Sequence, residues 1–188
     1  MNEPARLRGY FGIGVEGISK AMNLGSLMRT AHAFGASFAF TVAAAYDRSE
    51  GGLADTSDAP GSLPLYEFAD VGSLALPTGC SLVGIELIDG AVDLPSFRHP
   101  SAAAYVLGPE RGSLSPGLVS LCDHVVKIPT RFCINVALAG ALVMYDRVLN
   151  LGRFAGRPLT PGGPVQPLPK PVFGPPLVAS RRRRGSGA

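Results

Sequence analysis

The chain has 188 residues, 46% hydrophobic and 16% charged, which suits one packed domain of ordinary size and excludes an acidic or Ser-rich disordered chain. Its longest apolar run, Ile134–Tyr145 interrupted by Asn135, falls short of the ~20 residues that span a bilayer, so no membrane partner is expected. The net charge of +3 arises entirely beyond residue 155: Arg157, Lys170 and Arg181–Arg184 face no acids, leaving 11 cations against 14 acids on residues 1–155.

In chain order, residues 1–9 are polar and read as a loose end. Tyr10–Val15 reads as a short strand. Leu24, Leu27, Met28, Ala31 and Phe34 recur at the spacing of a helix with one buried face. Asn23 is the expected N-cap, and Gly35 stands where a helix end favours a left-handed residue. Ser37–Ala44 reads as a strand, Asp47–Leu63 as a Gly/Ser/Asp loop, and Leu65–Phe68 as strand or helix. Ser81–Leu87 and Ala102–Leu107 read as strands, Pro116–Leu121 as about one helical turn, and His124–Ile128 as a strand closed by Pro129. Ile134–Leu151 reads as a second long helix. From Gly156 onward Pro and Gly dominate, so residues 156–188 are expected to be an extended tail that ends in Arg residues. Strands alternating with helices predict an α/β domain, residues 10–155, with a mostly parallel sheet flanked by helices.

Cys80, Cys122 and Cys133 are odd in number, widely spaced, and apart from His32, His99 and His124. That pattern offers neither a metal site nor a disulfide framework and fits reduced thiols in a cytoplasm. Gly12-x-Gly14-x-x-Gly17 matches a dinucleotide fingerprint, but little strand precedes it, Glu16 would face a pyrophosphate, and no acid follows at the ribose-binding spacing.

Three other segments carry more. In Asn23–Gly35, Arg29 lies off the apolar stripe, one turn from the small residues Gly25 and Ser26. There a guanidinium can meet a phosphate or a developing oxyanion. Gly108-Pro109-Glu110-Arg111-Gly112-Ser113-Leu114 follows a strand and forms a tight loop where open α/β sheets bind ligands. Ile128–Ala137 joins a strand to the last helix, with Cys133 just before it and Asn135 in its first turn. Each segment has an ordinary structural alternative: a surface Arg, a β-turn, and core packing with a capping Asn.

In this order and spacing the three segments resemble the motifs of the SpoU family of RNA ribose 2′-O-methyltransferases, within the SPOUT superfamily. The first family motif is N-x-G-x-x-x-R-x-A-x-x-F-G, fitted by Asn23–Gly35. The second is G-x-E-x-x-G followed by a small residue and Leu, fitted by Gly108–Leu114. The third is I-P, a loop, S-L-N-V-S and an Ala-rich helix, fitted from Ile128 to Tyr145. The likeness covers about residues 10–153. Departures are Cys133 for the family Ser, Ile134 for Leu, Ala137 for the second Ser, Asp146 for the usual Glu after Tyr145, and a short loop after Pro129.

The resemblance implies a SPOUT-type sheet with a C-terminal trefoil knot, a homodimer, and S-adenosyl-L-methionine as cofactor. The cofactor would be held by Ile85, Leu107, Gly108, Glu110, Gly112, Ile128, Cys133, Ile134 and Val136. It implies a catalytic set of Arg29, Asn23, Glu110 and Asn135, with Arg29 stabilising a ribose alkoxide because a guanidinium does not lose its proton at physiological pH. The substrate would be tRNA or rRNA, contacted by Arg29; outside the likeness, Arg181, Arg182, Arg183 and Arg184 read either as a mobile arm for its phosphates or as a solvated terminus with no partner. The last helix, with Ala137, Ala139, Gly140 and Ala141, would face a partner subunit. Two alternatives stand beside this: a knotted RNA-binding module without activity, and a nicotinamide-dependent oxidoreductase built on Gly12–Gly17.

Overall fold

The computed structural model describes residues 9–46 and 63–163. The chain divides into two units, Met1–Arg153 and Phe154–Ala188. The loop expected over Asp47–Leu63 lies outside the described residues except for Leu63, as do residues 1–8 and Arg181–Arg184. Residues 154–163 contain no helix or strand.

The first unit is a seven-stranded sheet whose strands are β1 (Tyr10–Glu16), β2 (Phe38–Val42), β3 (Leu65–Phe68), β4 (Ser81–Ile85), β5 (Val92–Asp93), β6 (Ala102–Leu107) and β7 (His124–Lys127). Their order is β3-β2-β1-β6-β4-β7-β5, and every adjacent pair is parallel. Among the described residues the helices are α1 (Ala21–Ala33), α2 (Pro116–Leu121) and α3 (Val136–Leu151). None of these is long and apolar enough to cross a membrane.

The central strands are buried on both faces, so they read as apolar runs rather than as an alternation. Their side chains still divide by the two-residue period. Phe11, Ile13, Val15, Ala103, Tyr105 and Leu107 join one core with α1 and α3. Phe38, Phe40, Val42, Ala104 and Val106 join the other with Leu114 and Leu118. Gly12 and Gly14 lie within β1, where a Cβ would run into the rings of Phe38 and Phe40. They are packing glycines inside a strand, with no phosphate loop around them. This removes the basis of the nicotinamide reading.

Helix α1 starts at Ala21 with Lys20 at the N-cap, so Asn23 is the third helical residue and not the cap. Gly35 has φ +75°, the left-handed conformation expected after this helix. Helix α3 starts at Val136, and Asn135 is its N-cap rather than part of its first turn, accepting from the N–H groups of Ala137 and Leu138. Leu65–Phe68 resolves as a strand through its pairing with β2. Strand β5 and two short 3-10 turns, Val71–Ser73 and Leu94–Ser96, had no sequence expectation.

Helix α3 runs back across the sheet and is held at its far end by Arg147, which is 1% exposed. The Arg147 guanidinium donates to the carbonyls of Pro100 (2.6 Å), Ser101 (2.8 Å) and Tyr10 (3.3 Å) and to the Tyr105 hydroxyl (3.0 Å). It also lies over the Phe11 ring at 5.2 Å. Burial pushes the Tyr105 hydroxyl up to about 12 despite the neighbouring guanidinium. Asp146 faces His99 Nε2 at 3.0 Å, so Nε2 carries the proton, and burial lowers the His99 pKa and favours the neutral ring, which leaves Nδ1 to accept from the Tyr105 hydroxyl at 2.6 Å.

At its other end α3 meets α1 closely. A Cβ on Gly140 would collide with Leu27 and come within 3.2 Å of Ile13. Ala139 and Gly140 are thus turned into the chain's own core, which corrects the expectation that they face a partner. The exposed apolar residues of α3 are Leu138, Leu142 and Tyr145. Substituting Gly140→Val should cost about 1–3 kcal/mol by overpacking, read as a lower urea midpoint with an unchanged slope.

Candidate functional site

The carboxyl ends of β4, β6 and β7 open into a cleft of about 380 Å³. Its lining includes Ile85, Leu107, Gly108, Glu110, Gly112, Ile128, Cys133, Ile134 and Val136, with Asn23 and Asn135. All nine residues expected at a cofactor therefore share one space, and three of the four expected catalytic residues, Asn23, Glu110 and Asn135, border it. Arg29 is exposed on α1 and is not among the lining residues. Six positions on from Asn23, it stands about 120° round the helix from it.

Sequence reasoning missed Lys20, Glu86, Leu87, Pro109, Thr130 and Ala139, which also line the cleft. Glu86 had a signal, because an acid directly after an apolar strand sits at the edge where ligands bind. Lys20 and Thr130 had none.

Glu110 organises the cleft. One carboxylate oxygen accepts from the Ser19 N–H (3.1 Å) and hydroxyl (3.0 Å). The other accepts from the Lys20 N–H (3.2 Å) and from Asn23 Nδ2 (3.0 Å). The carboxylate thus stands at the positive end of α1 and stabilises it in place of a local cap. Asn23 Oδ1 in turn accepts from Asn135 Nδ2 at 3.2 Å. Asn135 Oδ1 accepts from the N–H groups of Ala137 (2.9 Å) and Leu138 (3.4 Å). One run of hydrogen bonds joins the Gly108–Leu114 loop, α1 and the start of α3.

The same loop is pinned at its far side by two buried acids. Glu86 accepts from the N–H of Leu114 at 2.6 Å, and Glu16 from that of Ser115 at 2.7 Å. Glu16 therefore holds a backbone and faces no phosphate. A Cβ on Gly108 would lie 3.2 Å from both Glu86 Oε2 and Leu114 N, and Gly112 has φ +140°. Glycine at these two positions lets the loop lie flat beneath the cleft.

The arrangement can hold a flat, partly polar molecule. Ile85, Leu107, Ile128, Ile134, Val136 and Ala139 supply apolar walls, and the loop backbones supply donors and acceptors.

The profile of the SpoU rRNA Methylase family matches residues 11–145. A mouse protein, tRNA (guanosine(18)-2′-O)-methyltransferase TARBP1, is 29% identical over 139 residues, covering 69% of this chain and 9% of its own length. The SpoU methyltransferase AviRb from Streptomyces viridochromogenes, solved in complex with AdoMet, superposes with a TM-score of 0.69 at 26% identity, over 80% of this chain and 61% of that one. A structure concerned with the 2-OH methylation of C/U34 on tRNA superposes with a TM-score of 0.67 over 76% of this chain and 91% of that one. At 20% identity that last likeness is one of fold alone. The chain spans a small part of the mouse relative and less than two thirds of AviRb.

Burial works against the charge on Glu110, but the hydrogen bonds from Asn23 and Ser19 outweigh it and hold its pKa below the ordinary 4.5. The folded form then binds fewer protons than the unfolded form in the acid range. This contribution to stability is whole above pH 4.5 and is lost as pH falls below it. Unfolding by urea across that range should show parent and Glu110→Gln separated by a constant gap above pH 4.5 that narrows below it. A gap that does not change with pH would show that the carboxylate charge is not what holds this corner.

Proposed function

Since this chain belongs to the SpoU rRNA Methylase family, we propose that it transfers a methyl group from S-adenosylmethionine to a ribose 2′-hydroxyl of a tRNA or rRNA. One observation carries the reading: the three family segments meet at a single cleft, tied together by Glu110, Asn23 and Asn135. The cleft suits the cofactor in size and lining, being apolar enough for a nucleobase and rimmed by backbone polar groups. AviRb, at 26% identity, is solved with AdoMet.

When bound, S-adenosylmethionine supplies a methyl group already activated on a positive sulfur, so the protein needs no nucleophile of its own. Ile85, Leu107, Ile128, Ile134 and Val136 would enclose the adenine, with the Gly108–Gly112 backbone and Cys133 at the edges. Cys133 keeps a weaker hydrogen-bonding group than a Ser hydroxyl would. Glu110 and Asn135 would position the loops, and Asn23 would hold the two together. Arg29 would stabilise the forming alkoxide, with the hydroxyl proton passing to water or phosphate.

Arg29 does not line the cleft of its own chain, and Leu138, Leu142 and Tyr145 are exposed on α3. Both features support a homodimer in which a second copy brings its guanidinium to this cleft. The sheet order also supports a threaded C-terminus. β7 lies between β4 and β5, so residues 86–91, which join those two strands, must bridge β7. α2 packs on one sheet core and α3 on the other, so the chain wraps β4 before it returns. Such wrapping is what a trefoil knot requires. Free thiols at Cys80, Cys122 and Cys133 fit a reducing cytoplasm, and Arg181–Arg184 would add phosphate contacts.

The inactive-module alternative draws on Cys133 and Ala137, and calorimetry separates it. The proposed enzyme binds S-adenosylmethionine, and total tRNA or rRNA from cells lacking the protein accepts methyl groups. Absence of both results would sink the reading. Arg29→Ala should keep cofactor affinity within about twofold while methyl transfer falls by about a hundredfold or more. Cys133→Trp should fill the cleft and abolish cofactor binding. Co-refolding those two inactive variants in equal amounts should restore about a quarter of the parental rate, because half of the dimers then hold one complete site. No recovery would place Arg29 in its own chain's site or outside the reaction.

A further inference from the structure

The rim of the cleft carries a feature that the cofactor and the methyl transfer leave unused. Phe132 is 73% exposed, the most exposed aromatic ring among the described residues. Its chain neighbours on either side of the turn, Thr130 and Cys133, both line the cleft, so the ring stands at the mouth.

The turn that presents it is built, not loose. The Thr130 N–H donates to the Ile128 carbonyl at 2.7 Å, and the Thr130 hydroxyl donates to the Phe132 carbonyl at 2.9 Å. The backbone of Phe132 is thereby fixed while its ring faces water. Leaving a large ring exposed forgoes the free energy of burial, so a partner that covers it gains that energy.

The charges around the ring select the partner. Arg131 is exposed beside it, Arg111 is exposed between the lining residues Glu110 and Gly112, and Lys20 is exposed at the same cleft. Residues 128–136 contain no acid, and the one acid of the Gly108–Leu114 loop, Glu110, is already engaged by Ser19, Lys20 and Asn23. The second copy proposed above would add its Arg29 to these cations, so the rim as a whole favours an anionic partner. A nucleic-acid strand would bring phosphates for the guanidinium groups and a base face for the ring.

We propose that Phe132 is a stacking platform for an unpaired base of the RNA, next to the nucleotide whose ribose enters the cleft, with Arg131 and Arg111 on the flanking phosphates. The proposal rests on the RNA methyltransferase reading and deepens it. It implies a target in a single-stranded loop or end, because a paired base has no free face to offer. It also implies tolerance of base identity at that neighbouring position, since every base has a face that can stack.

The chain has no tryptophan, so Phe132→Trp creates a single fluorescent reporter on an exposed site. Titration with a single-stranded oligoadenylate 12-mer should quench it strongly. A ribose-phosphate chain of the same length without bases should bind more weakly and leave the emission nearly unchanged. Phe132→Ala should weaken oligoadenylate binding by about tenfold, Phe132→Tyr should restore it, and all three variants should bind S-adenosylmethionine as the parent does. The stacking proposal is overturned if the oligomer binds without quenching, if it does not bind the parent at all, or if Phe132→Ala binds it unchanged. It is also overturned if sedimentation shows that Phe132→Ala dissociates a dimer, since the ring would then be covered by a second copy. In each of those cases a parent that binds the cofactor and methylates RNA keeps the underlying reading, and a parent that does neither removes it.

Discussion

The site depends on one carboxylate placed against one helix end. Glu110 belongs to the loop after β6, yet it accepts from the N–H groups of Ser19 and Lys20, the two residues that lead into α1, some 90 positions earlier in the chain. Lys20, the local cap residue, makes no side-chain cap. Charge, helix polarity and donor geometry therefore all favour bringing this loop to this helix. Asn23 extends the link to Asn135, and Asn135 uses its remaining acceptor on α3. The walls of the cleft follow from this arrangement, because each of its three segments is held at the point where it bends.

The sheet beneath was largely legible. β6 was bounded correctly from its apolar run, and the buried face of α1 followed from the spacing of Leu24, Leu27, Met28 and Ala31, all buried as that spacing requires. The illegible parts are those that distant residues create. Asn23 looked like a cap because it precedes an apolar stripe. The acid that stabilises this helix end is on another segment, so the helix begins earlier than the local signal says. β5 is two residues long and exists through its pairing with β7. Nothing in Val92–Asp93 by itself announces a strand.

The site shows the same division. That Gly108–Leu114 and Ile128–Val136 border one cavity could be anticipated, since both follow strands and strand ends in parallel sheets face one side. That Arg29 does not line this cavity could not, because it depends on how α1 is rotated by the burial of its opposite face. The Gly12–Gly17 pattern points the other way: the spacing of a phosphate loop is present, but Phe38 and Phe40 occupy the space against it. Arg147 was invisible for a related reason. Its acceptors are carbonyls of Tyr10, Pro100 and Ser101, which no local pattern could assign to it.

The position of β7 dictates an order of events in folding. β5 finds its neighbour in a strand made some thirty residues later, so that edge of the sheet stays unfinished until the carboxyl-terminal third of the domain arrives. During synthesis, β1, β2, β4 and β6 can pair first, with α1 lying on them. The segment from β7 to α3 supplies the partners that β5 and the cleft still lack, and contacts of such long sequence separation form slowly. Up to that moment the nascent domain has most of its hydrophobic interior, while its cleft lacks the wall formed by Ile128, Ile134 and Val136.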